Sequence, residues 1–190
     1  MHSFAIHVIN GCWLAFAVVW LLAAWMTKRS VYRESMTQRL RYMVILIFAC
    51  LLIFRGHRLG YPLNVRLIPQ SDAIDLASAL LCITGLAFCL WARATLGRNW
   101  SGTIQLKEGH ELIVRGPYRL VRHPIYTGLL GMTVATAAVI GHPAAIIGAM
   151  LVFVSFWIKL SSEEAVMLQQ FPDEYSAYRQ RVKRIIPFIM

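Results

Sequence analysis

Charged residues are scarce in this sequence, and acidic ones are the scarcest. Its 190 residues include nine Asp and Glu against 19 Lys and Arg, and only 15% of positions carry a charge. An ordinary soluble domain has about a quarter of its residues charged. The hydrophobic share is 58% and the mean hydropathy is +0.57. This composition predicts an integral membrane protein.

Other features that the sequence lacks exclude several classes of protein. It has no internal repeat, no low-complexity linker and no Gly-rich phosphate-binding loop. Its cysteines form no CxxC pair and have no histidine at ligand spacing, so we expect buried structural thiols and neither a disulfide nor a metal site. The four lie in apolar stretches, at Cys12, Cys50, Cys82 and Cys89. No cluster of Lys and Arg alternates with aromatic residues, so the net charge of +10 does not indicate a nucleic-acid partner.

Five apolar stretches predict about five transmembrane helices in an all-α fold. They are Ser3–Met26, Tyr42–Phe54 with extensions at both ends, Ala73–Thr95, Ile125–Ile140 and Ala144–Lys159. The first lacks a cationic flank and a cleavage site, so we expect it to be a retained span and not a signal peptide. Gly141-His142-Pro143 combines a helix stop with a helix start, which predicts a tight hairpin between the last two spans.

The distribution of basic residues predicts the orientation of the spans. If the N-terminus is outside, 16 of the 19 Lys and Arg lie at the inner ends of the spans and in the inner loops, and only Arg55, Arg58 and Arg66 lie outside. The positive-inside rule therefore places the C-terminus in the cytoplasm. Anionic lipid headgroups are the partners that such flanking charge favours.

A first polar block, residues 98–126, joins the third and fourth spans. It is too long for a simple connection and too rich in aromatic and apolar residues for disorder, so we expect a folded cytoplasmic cap. Pro124 should open the fourth helix and keep His123 out of helical geometry. The free N–H groups of that first turn, flanked by His123 and Tyr126 with Tyr118 upstream, could bind an anionic group.

A second polar block, residues 159–187, follows the fifth span. We expect a new helix to begin at Ser161 or Ser162, with Glu163 and Glu164 in its first turn, and to break at Pro172. A C-terminal amphipathic helix should follow, with Tyr175, Tyr178 and Val182 along its apolar side. Because the last two spans form a hairpin, the acidic pair should lie near His123 and form a site for a polar cofactor.

The spaced set of motifs in these blocks resembles the isoprenylcysteine carboxyl methyltransferase family, which is related to membrane phospholipid methyltransferases. The motifs are LGRNWS from Leu96, GHELIVRGPYRLVRHPIYTG from Gly109, EE at Glu163, FPDEYSAY from Phe171, and Arg184 with Pro187. The resemblance covers roughly the C-terminal half, and the first two spans carry no motif. The short plan is similar to that of prokaryotic members, which implies a prokaryotic inner or plasma membrane.

The resemblance implies methyl transfer from S-adenosyl-L-methionine, at the cytoplasmic face of the membrane, to a lipophilic acceptor that arrives from the bilayer. This implied acceptor is an isoprenylcysteine-like carboxylate, or another prenyl, lipid or small thiol or amine group. The resemblance implies no metal. It assigns a substrate-positioning role to Lys159, where eukaryotic members have an arginine, and a catalytic role to Glu163. The implied cofactor-binding residues are Gln105, His110, Leu112, Ile113, Tyr118, His123, Pro124, Tyr126, Glu163 and Glu164.

Two other interpretations remain open at the level of sequence. One is a membrane reductase that uses a nicotinamide cofactor, because such enzymes have a run similar to RHPxY. The other is a non-catalytic scaffold or small transporter, although transporters usually place polar groups near the bilayer midplane and these spans contain few. In each case we expect one membrane-embedded domain over residues 1–190, with N-terminal spans in 1–70 and the motif-bearing part in 71–190.

Overall fold

The computed structural model describes residues 1–24, 30–33, 35–97, 105–107 and 112–187. Within these ranges the chain forms six α-helices and two short strands. In chain order these are α1 (His2–Ala24), β1 (Ser30–Arg33), α2 (Met36–Arg55), α3 (Asp72–Leu96), β2 (Gln105–Lys107), α4 (Pro124–Ile140), α5 (Pro143–Gln170) and α6 (Pro172–Arg181).

The helices confirm a multi-pass membrane protein. In the described part of the chain, four helices are long and apolar enough to cross a bilayer, namely α1, α2, α3 and α5. The fifth apolar helix, α4, has 17 residues and spans about 26 Å, slightly less than a typical hydrocarbon core. All five predicted stretches are therefore helical over their described residues, with residues 25 and 26 of the first stretch outside them, and α2 extends beyond Tyr42–Phe54 at both ends as expected.

The bundle is organised by two helix pairs, α3 with α4 and α2 with α5, and α1 packs against α3. The α3–α4 contact depends on glycine, because the two backbones meet at Gly85 and Gly128. A Cβ placed on Gly85 would lie 2.7 Å from the carbonyl oxygen of Gly128, and a Cβ on Gly128 would lie 2.5 Å from Sγ of Cys89. Small residues allow this close approach in membrane helices.

One end of the bundle holds the N-terminus and the hairpin between α4 and α5. Nδ1 of His2 lies 3.0 Å from Oδ1 of Asp75, a buried carboxylate near the start of α3. Gly141 ends α4 in the left-handed region at φ 73°, and Pro143 is the first residue of α5, so the predicted hairpin is confirmed. Arg66 donates from Nη2 to the carbonyl of Val139 at 2.9 Å.

The opposite end, which we call the cap end, holds the end of α3, the start of α4 and the last turns of α5. A 3₁₀ turn at Gly116–Arg119 packs against α3 there. The prediction of an all-α fold missed one detail: β1 and β2 pair as a two-stranded antiparallel sheet. Strands of three and four residues are too short to show an alternating pattern in the sequence.

Two local predictions were wrong. No helix begins at Ser161 or Ser162, because α5 continues unbroken to Gln170, and each hydroxyl donates to the carbonyl four residues earlier. Cys50 is not a buried thiol: it lies next to buried Ala49 on α2, about 100° around the helix, and is exposed. Cys12, Cys82 and Cys89 are buried as predicted.

Candidate active site

The start of α4 at the cap end is held by the C-terminal segment, residues 182–187. His123 precedes the helix with φ −127° and ψ 63°, outside helical geometry, as Pro124 predicts. The backbone N–H groups of Arg122 and His123 donate to the carbonyls of Lys183 and Arg184 at 2.8 and 3.0 Å. Thr127 Oγ1 donates to the carbonyl of Ile185 at 2.7 Å. These bonds fix the backbone conformation at His123.

Glu164 lies at the centre of a buried ion cluster. Its Oε1 accepts from Nε and Nη2 of Arg122 at 2.9 and 2.8 Å, and from Nε of Arg184 at 3.1 Å. Nη2 of Arg184 donates to Oε2 at 2.7 Å, and Nε2 of His123 lies 3.1 Å from Oε1. A carboxylate between two guanidinium groups can only accept, so His123 carries its proton on Nε2. The side chain of Glu164 is 3% exposed, and both of its oxygens are occupied.

Glu163, the neighbour of Glu164, lies in a different environment. Its Oε1 accepts from the hydroxyl of Tyr126 at 3.1 Å, and its Oε2 is 3.7 Å from Nδ1 of His123. The side chain is 21% exposed. Because a carboxylate can accept about four hydrogen bonds, Glu163 has capacity for a ligand that Glu164 lacks. Of the two glutamates predicted to bind the cofactor, only Glu163 therefore remains a candidate.

Lys159 lies one helical turn before Glu163 on α5. Its Nζ is 5.5 Å from the ring centroid of Tyr126 and 5.4 Å from that of Tyr42, which belongs to α2. Both distances are within the range of a cation–π interaction. The Tyr126 ring also meets Phe156 edge-on at 5.0 Å. Tyr126 therefore contacts both Lys159 and Glu163.

Tyr118 and α6 complete the described part of the cap. Tyr118 is buried against Cys89 and Ile125. The hydroxyl of Tyr178 donates to the carbonyl of Tyr118 at 2.6 Å, so the amphipathic helix packs against the cap. Burial raises the pKa of Tyr178, which keeps that hydroxyl protonated and able to donate.

The other predicted cofactor residues are only partly described. Ile113 packs against the apolar cluster that contains Tyr118, and both Leu112 and Ile113 are partly buried. Gln105 lies in β2, opposite Arg33, and is described by its backbone alone. His110 lies outside the described residues. The structure thus brings His123, Tyr126, Glu163 and Lys159 into one site with the first turn of α4.

Sequence reasoning missed three side chains of this site. It treated Arg122 as a topology signal and Arg184 as a motif residue without a role, although both bind Glu164. A buried carboxylate requires a cationic partner, so the nearby arginines could have been suggested. Tyr42 gave no signal, because it lies in a span without motifs and approaches Lys159 only through folding.

The fold and the site define an integral membrane protein with a polar, charge-paired site at one end of its helical bundle. Residues 78–169 match the model of the isoprenylcysteine carboxyl methyltransferase (ICMT) family. Over 172 residues the chain is 30% identical to a probable protein-S-isoprenylcysteine O-methyltransferase of Oryza sativa subsp. indica, covering 89% of this chain and 87% of that protein. The chain belongs to the ICMT family.

Two further protein-S-isoprenylcysteine O-methyltransferases are similar to this chain over shorter regions. Protein-S-isoprenylcysteine O-methyltransferase B of Arabidopsis thaliana is 35% identical over half of each chain. The Homo sapiens enzyme is 29% identical over 64% of this chain and 44% of its own length. A solved structure of the eukaryotic intramembrane Ras methyltransferase ICMT has a TM-score of 0.56 and 23% identity, covering 84% of this chain and 55% of that one. This last likeness shows the fold.

Family membership decides between the interpretations that the sequence left open. The chain is a methyltransferase of the membrane, and the methyl donor of its family is S-adenosyl-L-methionine. The nicotinamide-dependent reductase and the non-catalytic scaffold are not supported. In the described part of the chain, no group of three or more His, Cys, Asp or Glu is arranged to hold a metal ion.

Proposed function

We propose that this chain methylates the carboxylate of a prenylated cysteine, with the donor bound beside Glu163 and the acceptor beside Lys159. The observation that carries the proposal is the arrangement of Glu163, Tyr126 and Lys159. A carboxylate and an ammonium lie one turn apart on α5, and a single tyrosine contacts both. The carboxylate of Glu163 suits a ligand with amine and hydroxyl groups, and the ammonium of Lys159 suits an anion.

The donor set fits S-adenosyl-L-methionine. Glu163 has free acceptor capacity for an amine or a hydroxyl, and the first turn of α4 offers N–H groups to a carboxylate. We further propose that partly buried Leu112 and Ile113 provide apolar surface to the donor. The further residues proposed to hold the donor are Gln105, His110, Tyr118, His123, Pro124 and Tyr126. The donor supplies a methyl group that its sulfonium has already activated.

The protein's task is therefore to position the acceptor and exclude water. A carboxylate is ionised at neutral pH, so this acceptor needs no general base. Lys159 holds it by charge, in the place of the family's arginine, but without the bidentate fork of a guanidinium. Orientation of two bound reactants supplies a large part of the rate enhancement in reactions of this kind.

The depth of the site supports an acceptor that arrives from the bilayer. Glu163 lies about 30 Å along α5 from Pro143, which is close to the thickness of a hydrocarbon core. Lys159 is one turn, about 6 Å, closer to the membrane centre. A prenyl chain can thus remain in lipid while its carboxylate reaches Lys159, and the water-soluble donor approaches from the cap end, which we propose to be cytoplasmic.

Binding of S-adenosylhomocysteine, measured by calorimetry in detergent, tests the donor side. We expect His123→Ala, Tyr126→Phe and Glu163→Gln each to weaken binding about tenfold, because each leaves a polar partner unpaired in a partly desolvated site. Tyr61→Phe and Glu174→Gln are matched controls on exposed side chains and should change nothing. If the three site variants instead lower only the melting temperature of the ligand-free protein, these residues are structural.

Activity with labelled S-adenosyl-L-methionine and N-acetyl-S-farnesyl-L-cysteine tests the acceptor side. A carboxyl methyl ester is hydrolysed by mild base and releases labelled methanol, whereas N-methyl and S-methyl products retain their label. We expect base-labile product and a reduced rate in Lys159→Ala at unchanged S-adenosylhomocysteine affinity. Base-stable product would contradict a carboxylate acceptor.

A further inference from the structure

The ammonium of Lys159 lies between two tyrosine rings from different helices. Its Nζ is 5.4 Å from the ring centroid of Tyr42 on α2 and 5.5 Å from that of Tyr126 on α4. A cation over an aromatic face at such distances is attracted by the negative potential of the ring. Three helices thus determine where one charge is placed.

Tyr42 is fixed relative to α5 before any ligand binds. Its side chain is buried, and its backbone carbonyl accepts a hydrogen bond from the hydroxyl of Ser155 at 2.7 Å. Further along α2, Ala49 and Ile53 belong to the same apolar cluster as Phe156. Tyr42 therefore lies on a surface that cannot move independently of Lys159.

The chemistry of lysine explains why a fixed ring matters here. A lysine ammonium is a compact charge on a flexible four-carbon stem, whereas an arginine fork is planar and pre-organised. A lysine at a position that must hold a carboxylate needs other groups to limit where its charge can go. The two rings contribute to that limit, and the hydroxyl of Tyr126 already donates to Glu163.

We propose that Tyr42 is a positioning residue for the acceptor, which acts by holding the ammonium of Lys159. This inference rests on the proposed role of Lys159 at the acceptor carboxylate. It extends the site to α2, which lies upstream of residues 78–169, the part that matches the family model. It also predicts that the π face of Tyr42 contributes to acceptor binding.

Variants at position 42 distinguish the contribution of the ring face to acceptor binding from the contribution of packing. We expect Tyr42→Leu to raise the KM for N-acetyl-S-farnesyl-L-cysteine about five- to tenfold, and its Kd in the presence of saturating S-adenosylhomocysteine by the same factor. Tyr42→Phe keeps the ring and should raise both values less than Tyr42→Leu does. The affinity for S-adenosylhomocysteine alone should not change. Phe48→Leu, at an exposed position on α2, is the matched control and should leave all values unchanged.

A fluorinated phenylalanine series at position 42 gives a test that does not depend on the stability of Tyr42→Leu. Fluorine withdraws the negative potential of the ring face and changes its shape little, so the acceptor Kd should rise stepwise from phenylalanine to trifluorophenylalanine. A flat series would overturn the proposal. The same holds if Tyr42→Phe weakens acceptor binding as much as Tyr42→Leu does.

A double-mutant cycle with Lys159→Met shows whether Tyr42 acts through the ammonium. In the Lys159→Met background, Tyr42→Leu should change the acceptor Kd by less than about twofold, because the charge that it positions is gone. An undiminished effect in that background would assign Tyr42 to packing and overturn the proposal. If the unmodified protein fails to bind S-adenosylhomocysteine, the proposed function itself fails, which is a different outcome.

Discussion

Two adjacent glutamates differ more in role than any other pair of neighbours in the site. Glu164 is enclosed by Arg122, Arg184 and His123, and its oxygens have no capacity left for a ligand. Glu163 is partly exposed and bound by one tyrosine hydroxyl. The helix turns about 100° between them, which directs one carboxylate into the cap and the other into the site.

Conversion of each glutamate to glutamine should therefore have different effects. Glu164→Gln removes one partner of a buried charge cluster and leaves its arginines uncompensated, so we expect a loss of about 3 kcal/mol of stability and a melting temperature lower by several degrees. Glu163→Gln should leave the melting temperature nearly unchanged and weaken S-adenosylhomocysteine binding about tenfold.

Thermal unfolding in detergent and calorimetry on the same preparations measure both quantities. Glu174→Gln, on an exposed part of α6, controls for loss of a carboxylate in general. If both site variants lower the melting temperature equally, Glu163 and Glu164 form a single structural unit and the division between them is wrong.

At the scale of elements, the site depends on the contact between α3 and α4, because His123 directly precedes α4. A Cβ on Gly128 would overlap the carbonyl oxygen of Gly85 and Sγ of Cys89, so the two helices would have to separate. Gly131, one turn further on, has space: a Cβ there would lie 3.7 Å from the nearest side-chain atom of Leu81.

We expect Gly128→Ala to destabilise the protein by about 1–3 kcal/mol, the range for overpacking, and to weaken S-adenosylhomocysteine binding by displacing the start of α4. Gly131→Ala is the matched control and should be neutral or slightly stabilising, because alanine is the better helix former. The melting temperature in detergent measures the difference. Equal values for the two variants would show that the close approach at Gly128 contributes nothing.

The elements also show which predictions a local pattern can support. The hairpin at Gly141 and the start of α4 at Pro124 were predicted correctly, because glycine and proline restrict the backbone wherever they occur. The helix start at Ser161 was wrong, because a serine that could cap a helix can also bond back to the carbonyl four residues earlier. Continuation of α5 depends on packing that no short window of sequence contains.

For the whole molecule, hydropathy predicted the membrane bundle, and spaced motifs predicted the residues that meet at the cap end. In lipid, every backbone N–H and C=O group must be hydrogen-bonded within the protein, so apolar stretches of this length form helices. The number and the positions of the spans can therefore be predicted from hydropathy. The pairing of α2 with α5 could not be predicted from the sequence. The surfaces of all the spans are similarly apolar, so their composition does not indicate which helix each one packs against. The contribution of Tyr42 depends on that pairing.

Met1 and the segment of residues 182–187 lie at opposite ends of the bundle. The N-terminal amine is 3.8 Å from Oδ1 of Asp72 at the start of α3, whereas the C-terminal segment holds the start of α4. Reporter fusions at residues 1 and 190 should therefore indicate opposite sides of the membrane, with residue 190 in the cytoplasm. A cytoplasmic signal from both fusions would contradict the predicted span count.

Because α5 is unbroken, it fixes the distance between Lys159 and Glu163, two charged residues of the site. Lys159 and Glu163 are held one turn apart, about 6 Å along the axis, with no loop between them to absorb a change. One residue inserted between them would swing Lys159 by about 100° and turn it away from Tyr42. In the proposed site, exchange of the side chains at positions 42 and 159 would change acceptor preference, whereas the pitch of the helix sets the separation between Lys159 and Glu163.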